Sequence, residues 1–168
     1  MKQLLVMRHA KSDWSSLAPS DFERPLAARG LKDAPKMARW LRNQGLVPEL
    51  IVTSPAVRAH QTAAYICEGL NIPTTDLVLE PRIYGAQVED LIAIIGNFPG
   101  HMSLCMLVGH NPGLEELVRY LVGGGQPEPD YNKVMPTAGI YLLEVGNSWT
   151  NLQSKCAQIV ASMRPKSL

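Results

Sequence analysis

Two histidines and two arginines, far apart in the chain but similarly placed, are the side chains in this sequence best suited to chemistry. Arg8-His9 follows the short apolar run 4–7, Arg58 comes just after the run 50–53 and Ser54-Pro55, and His110-Asn111 follows the run 104–108. A neutral imidazole is a nucleophile, and guanidinium groups stay charged and present a fork of donors matched to phosphate oxygens. Arg8 and Arg58 near His9 should lower its pKa by like-charge repulsion, leaving a free lone pair at neutral pH. His110 and Ser54 each precede a predicted helix, where backbone amides and the helix dipole favour an anion. Together they describe an anion hole around a nucleophilic nitrogen, which is what phosphoryl transfer without a metal requires. Lys11, Ser12, Ser54 and Asn111 adjoin the same points and are candidates to line the pocket.

Each piece alone has an ordinary explanation: a histidine at a strand end, or an arginine one turn into a helix, is common. Their convergence depends on the elements that carry them. Continuous apolar runs at 4–7, 50–53 and 104–108 read as short strands covered on both faces. A weaker strand is expected at 77–79, and two more at 140–145 and 159–163. Helical spacing places helices over 27–43, from Ser54 to about 70, over 88–95, and from Asn111 through 121. Ser54-Pro55 and Asn111-Pro112 read as N-cap followed by first helical position, and Pro35 is expected in a first turn. The three glycines 123–125 end the fourth helix, and a proline-rich loop follows at 126–132. Strands alternating with helices imply a three-layer α/β sandwich with a mostly parallel central sheet flanked by helices. Ligands of such sheets bind beyond the carboxyl ends of the strands, so the three separated pieces should meet on one rim.

The chain of 168 residues is expected to be a single domain over 1–168, able to bury a core without disulfides. Lys plus Arg number 16 against 15 Asp plus Glu, and a net charge of +1 is no footprint for a nucleic acid. Cys67, Cys105 and Cys156 lack metal-ligand spacing and suit buried thiols in a reducing compartment. No secretory or membrane-spanning apolar segment is found, so a cytoplasmic location is expected and no membrane partner. His60 reads as helix surface and His101 as loop, and no histidine pair has the spacing of a helical metal site; neither metal nor cofactor is expected. Trp14, Trp40 and Trp149 read as packing residues.

The motifs themselves resemble a known family. The segment Leu5-Val6-Met7-Arg8-His9-Ala10-Lys11-Ser12 is similar to the opening signature of the histidine phosphatase (phosphoglycerate mutase-like) superfamily. Arg24-Pro25-Leu26-Ala27-Ala28-Arg29-Gly30 resembles its Pro-Leu-Thr-x-x-Gly element, and the segment from Ser54 through Arg58 to Gln61-Thr62 its Ser-x-x-x-Arg-x-x-Gln-Thr element. Val108-Gly109-His110-Asn111-Pro112-Gly113 resembles its second histidine motif, in the form of SixA-type phosphohistidine phosphatases. The resemblance implies a phosphoglycerate mutase-like fold, His9 as the phosphorylated nucleophile, and Arg8, Arg58 and His110 as the phosphate pocket.

Two departures shape the expected substrate. Ala10 stands where the superfamily usually has glycine, so the loop must run differently or carry strain. Residues 80–86 lack the family's glutamate proton donor in its usual setting, and Glu80, Glu89, Asp90, Asp21 and Glu23 are weak substitutes. Alkoxide leaving groups need a general acid, whereas an imidazole leaving group can take its proton from solvent. The same segment is too short for a large cap insertion, which leaves an open rim. Both features favour phosphohistidine on a protein as the substrate. A small phosphate ester is the alternative, and a phosphate-binding module without turnover is the alternative of another class.

Overall fold

The computed structural model describes residues 1–123 and 135–168. Glycines 124 and 125 and the proline-rich loop expected over 126–132 lie outside the described residues.

The strand β1 (Lys2–Arg8) has four consecutive side chains, Leu4 to Met7, wholly shielded from solvent. Alternate residues of a strand face opposite sides of the sheet, so a continuous apolar run needs cover on both. Leu4 and Val6 pack with α3 (Val88–Gly96) and α4 (Gly113–Val122), through Leu91, Ile95, Leu117 and Leu121. Leu5 and Met7 pack with α1 (Ala28–Asn43) and α2 (Val57–Gly69), through Met37, Leu41, Ala63 and Ile66. Truncating Leu5 or Met7 to alanine would therefore cost about 2–5 kcal/mol.

The remaining strands are β2 (Leu50–Thr53), β3 (Val78–Leu79), β4 (Leu104–Gly109), β5 (Ile140–Gly146) and β6 (Gln158–Met163), in the spatial order β3-β2-β4-β1-β5-β6. The first four in that order run parallel, and β5 and β6 add antiparallel strands at one side. This mixed sheet flanked by helices is the three-layer sandwich expected from the sequence, with no large insertion among the described residues. None of the described helices is long and apolar enough to cross a membrane.

The parallel register positions the candidate site. Arg8 pairs with Gly109, and Thr53 with Val108, so the three strands end side by side. The main chain continues the pairing one residue further: His9 N–H donates to the Gly109 carbonyl at 3.0 Å, and Ser54 N–H to the Val108 carbonyl at 3.0 Å.

Three local expectations are corrected. Pro35 lies well inside α1 rather than in its first turn. Ala27 N–H donates to the Lys11 carbonyl at 2.8 Å, and that anchor starts the helix upstream. The carbonyl that Pro35 leaves without its usual helical donor belongs to Leu31, an exposed residue where water can serve it. Ser54 does not cap α2, which begins at Val57 after Ala56; its hydroxyl instead accepts from Ala56 N–H and meets His110. Asn111 does not cap α4, whose N-terminal flank is Pro112, because its side chain turns to Glu115 and the Met135 carbonyl.

Candidate active site

The loop after β1 is fixed by residues from both neighbouring motifs. Ala10 N–H donates to Thr62 Oγ1 at 3.0 Å, and Thr62 Oγ1 in turn donates to the Arg58 carbonyl at 2.7 Å, tying the His9 loop to α2. Gln61 Oε1 accepts from Leu26 N–H at 2.8 Å, which anchors the Pro-Leu segment to the same helix. A side chain at Gly30 would collide with the Lys11 backbone, so glycine there allows α1 to press against the loop. Ala10 is not among the residues with positive φ, so the chain runs past it without the strain a left-handed alanine would carry.

His9 is buried, with 6% of its surface exposed. Its Nδ1 lies 2.7 Å from the Ala10 carbonyl oxygen, which can only accept, so Nδ1 carries the proton and the Nε2 lone pair is free. Burial pushes the His9 pKa down to about 3; the Ala10 bond opposes this, and His110, Arg58 and Arg8 add smaller depressions. Like-charge repulsion, the expected cause, is thus secondary to desolvation. The His110 ring centre lies 5.2 Å from that of His9, and its Nε2 is 2.8 Å from Ser54 Oγ. Burial first, then Arg58, lowers its pKa to about 4. Both rings are neutral at physiological pH.

Around the rings stand the two arginines. Arg8 donates through Nη1 to the Met135 carbonyl at 3.2 Å. Arg58 is held by Asp21, donating to its carbonyl at 2.6 Å and to its carboxylate at 2.9 Å. Arg8 Nε, Arg58 Nε and His110 Nδ1 are buried and have no hydrogen-bond partner among the described residues. Leaving a buried donor unpaired costs about 1–3 kcal/mol. A group of such nitrogens around a free imidazole lone pair suits an anion with several oxygens. Beside them opens a cleft of about 490 Å³, lined by Asp21, Arg58, Tyr84, His110, Asn111 and Glu116 among others.

The structure therefore brings together His9, Arg8, Arg58 and His110, with Ser54 against His110 and Asn111 on the cleft wall. Ser12 Oγ is taken by the Arg24 guanidinium, and Lys11 contributes through its backbone carbonyl. Of the weak proton-donor candidates, Glu80 pairs with Arg82, Asp90 caps α3, and Glu23 accepts from Ser20. Asp21 reaches the site, but hydrogen bonds from Arg24, then Tyr84 and Arg58, hold its carboxyl well below the usual range. It is an ionised clamp rather than an acid. Sequence reasoning missed this role and missed Tyr84, whose hydroxyl donates to Asp21 at 2.7 Å and whose ring stands edge-on to His110 at 5.4 Å. The one available signal was Asp21 placed a helical turn before Arg24. Among the described residues no three His, Cys, Asp or Glu side chains converge as metal ligands.

The depressed imidazoles make stability depend on pH. Between the folded values of about 3 and 4 and the ordinary histidine value of 6.5, the unfolded chain binds more protons than the folded one. Stability must then rise with pH through that window and level off above it. The melting temperature in phosphate-free buffer is expected to climb from about pH 4.5 to about 6.5, with a shallower climb for His9→Gln. A wild-type protein as stable at the acid end as at neutrality would contradict the buried neutral rings.

Comparisons with known proteins give the family and the fold. The model of the histidine phosphatase superfamily (branch 1) matches residues 4–84. The chain is 30% identical over 164 residues to an uncharacterized protein of Mycobacterium tuberculosis, spanning 95% of this chain and all of that one. It is 30% identical over 152 residues to the phosphohistidine phosphatase SixA of Escherichia coli, covering 90% of this chain and 92% of the relative. A solved protein histidine phosphatase SixA, complexed with tungstate, shares the fold with a TM-score of 0.81 at 24% identity over 98% of each chain.

Proposed function

The chain belongs to the histidine phosphatase superfamily, and from that premise we propose that it hydrolyses phosphohistidine carried on proteins, with His9 as the nucleophile. His9 Nε2 attacks phosphorus in line, and the P–N bond to the substrate imidazole breaks. Arg8, Arg58 and His110 Nδ1 donate to the phosphoryl oxygens, where the charge is greatest in transit. The departing imidazole nitrogen takes a proton from solvent. Water then attacks phosphorylated His9, releasing inorganic phosphate and restoring the neutral ring. The anion's charge is met by guanidinium and imidazole donors, so turnover is expected to survive a chelator. Ser54 orients His110 and Asn111 lines the cleft, while Lys11 and Ser12 brace the loop behind it through their bonds to Ala27 and Arg24.

The observation that carries the substrate choice is the state of Asp21. This carboxylate, bonded to Arg58, is held ionised by its three donors and cannot supply a proton to an alkoxide. Glu116, also along the cleft, is exposed on its rim. An imidazole leaving group needs neither. The unpaired thiols Cys67, Cys105 and Cys156 fit a reducing compartment, and we assign the protein to the cytoplasm.

The test is phosphate release from a histidine-phosphorylated protein compared with an aryl or sugar phosphate. Preference for phosphohistidine is expected. Clear preference for the esters would make a small phosphate ester the substrate. Binding of both without phosphate release would mark a phosphate-binding module.

A further inference from the structure

The loop between β1 and α1 is more ordered than an ordinary connection needs to be. Its ends are joined by the bridge of Ser12 with Leu26 and by Asp13 N–H donating to the Pro25 carbonyl at 2.9 Å. Inside it, the Asp13 carboxylate accepts from the Ser15 amide and hydroxyl, Ser20 donates to Glu23, and Arg24 pairs with Asp21. Closed surface loops of this kind, held by their own side chains, are frequently functional.

The loop displays large apolar side chains, Trp14, Leu17 and Phe22, among the exposed polar residues Ser15, Ser20, Asp21 and Glu23. Trp14 lies flat on the buried Arg24 guanidinium, 3.6 Å from the ring centre, yet 74% of its surface is exposed. Of the three tryptophans expected to be packing residues, Trp40 and Trp149 pack in the core, whereas Trp14 packs only on Arg24 and leaves most of its ring exposed. Leu17 is 100% exposed. Scattered exposed apolar residues are normal, but these sit on an ordered loop that adjoins the site. The loop reaches the candidate phosphate pocket by two routes: Arg24 to Asp21 to Arg58, and Phe22 edge-on to Tyr84, itself edge-on to His110. Phe22 and Tyr84 are also partly exposed, which extends the apolar lip to the mouth of the cleft.

Resting on the proposed function, we infer that loop 13–25 is a docking lip for the protein that carries the phosphohistidine, binding apolar side chains that flank the modified residue. A protein that inserts a surface histidine towards His9 must bring its neighbouring surface over this lip. The lip offers an aromatic face pre-positioned by Arg24, so little ordering of that ring remains to be done on binding, and the same loop carries a fully exposed leucine. Tryptophan and tyrosine beside arginine are the residue types that dominate binding energy at protein interfaces. Neither Trp14 nor Leu17 lines the cleft, so a small phosphate compound can fill it without touching them.

Trp14→Ala and Leu17→Ser, singly and together, test this. The substrates are a helical protein chemically phosphorylated on a surface histidine with apolar neighbours, and free phosphohistidine. The double variant should lose about tenfold or more in kcat/KM on the protein, mainly through KM, and stay within about twofold of wild type on free phosphohistidine. Leu17→Ser alone should move in the same direction, and its exposure keeps it clear of any disturbance to Arg24. Unchanged kcat/KM on the protein, or an equal fall on both substrates, would overturn the docking role. Failure of the wild type itself on the phosphorylated protein would instead overturn the proposed function, and that result appears without any substitution.

Discussion

His9→Ala is expected to lower kcat by about 10⁴-fold or more, because removing a nucleophile that works with its neighbours as a unit abolishes nearly all their combined effect. The expectation rests on one atom. Nε2 has a free lone pair because the Ala10 carbonyl fixes the proton on Nδ1 and burial keeps the ring uncharged. His9→Gln keeps a polar group of similar size but no basic nitrogen, and should be as inactive as alanine. Both variants should still bind inorganic phosphate, since Arg8, Arg58 and His110 remain. Phosphate release within tenfold of wild type from either variant, read by steady-state assay, would remove His9 from the mechanism.

Arg58→Ala carries the next largest effect, a fall of about 10²–10³-fold in kcat/KM. The substitution deletes the buried fork of donors and also leaves Asp21, ionised and next to the pocket, without one of its three partners. A carboxylate left with Arg24 and Tyr84 alone, and no cation on its pocket side, repels the substrate more, so inhibition by inorganic phosphate should weaken in parallel. Arg58→Lys keeps the charge without the planar fork and should recover only part of the loss. Activity of Arg58→Ala close to wild type would mean that Arg58 binds Asp21 for structural reasons alone.

The parts of this arrangement that sequence revealed are those set by local pattern. Leu4 to Met7 and the run in β4 read as strands because a sheet covered on both faces needs uninterrupted apolar side chains. Once those strands were parallel, Arg8-His9, Ser54 and His110 had to emerge on one edge. The unseen parts depend on distance in three dimensions. The clamp on Arg58 joins residues separated by 37 positions, and Tyr84 reaches Asp21 across 63. No periodicity encodes such pairs. The pKa of His9 was expected to fall, but the charges nearby were visible in the sequence and the depth of burial was not. Pro35 and Ser54 misled for a related reason: proline and serine carry strong local preferences, and here tertiary anchors at Lys11 and His110 outweighed them. Trp14 reads as a packing residue because large aromatic residues usually pack, and it does pack, but on a guanidinium of a surface loop.

The most direct measurement is a single turnover stopped at short times, with the phosphoryl group followed by ³¹P NMR and mapped on the chain. A phosphoryl group that is acid-labile, base-stable, bonded to Nε2 of His9 and lost as inorganic phosphate appears is the result this chemistry predicts. Turnover with no phosphorylated protein at any time, or with the group on another residue, would contradict it.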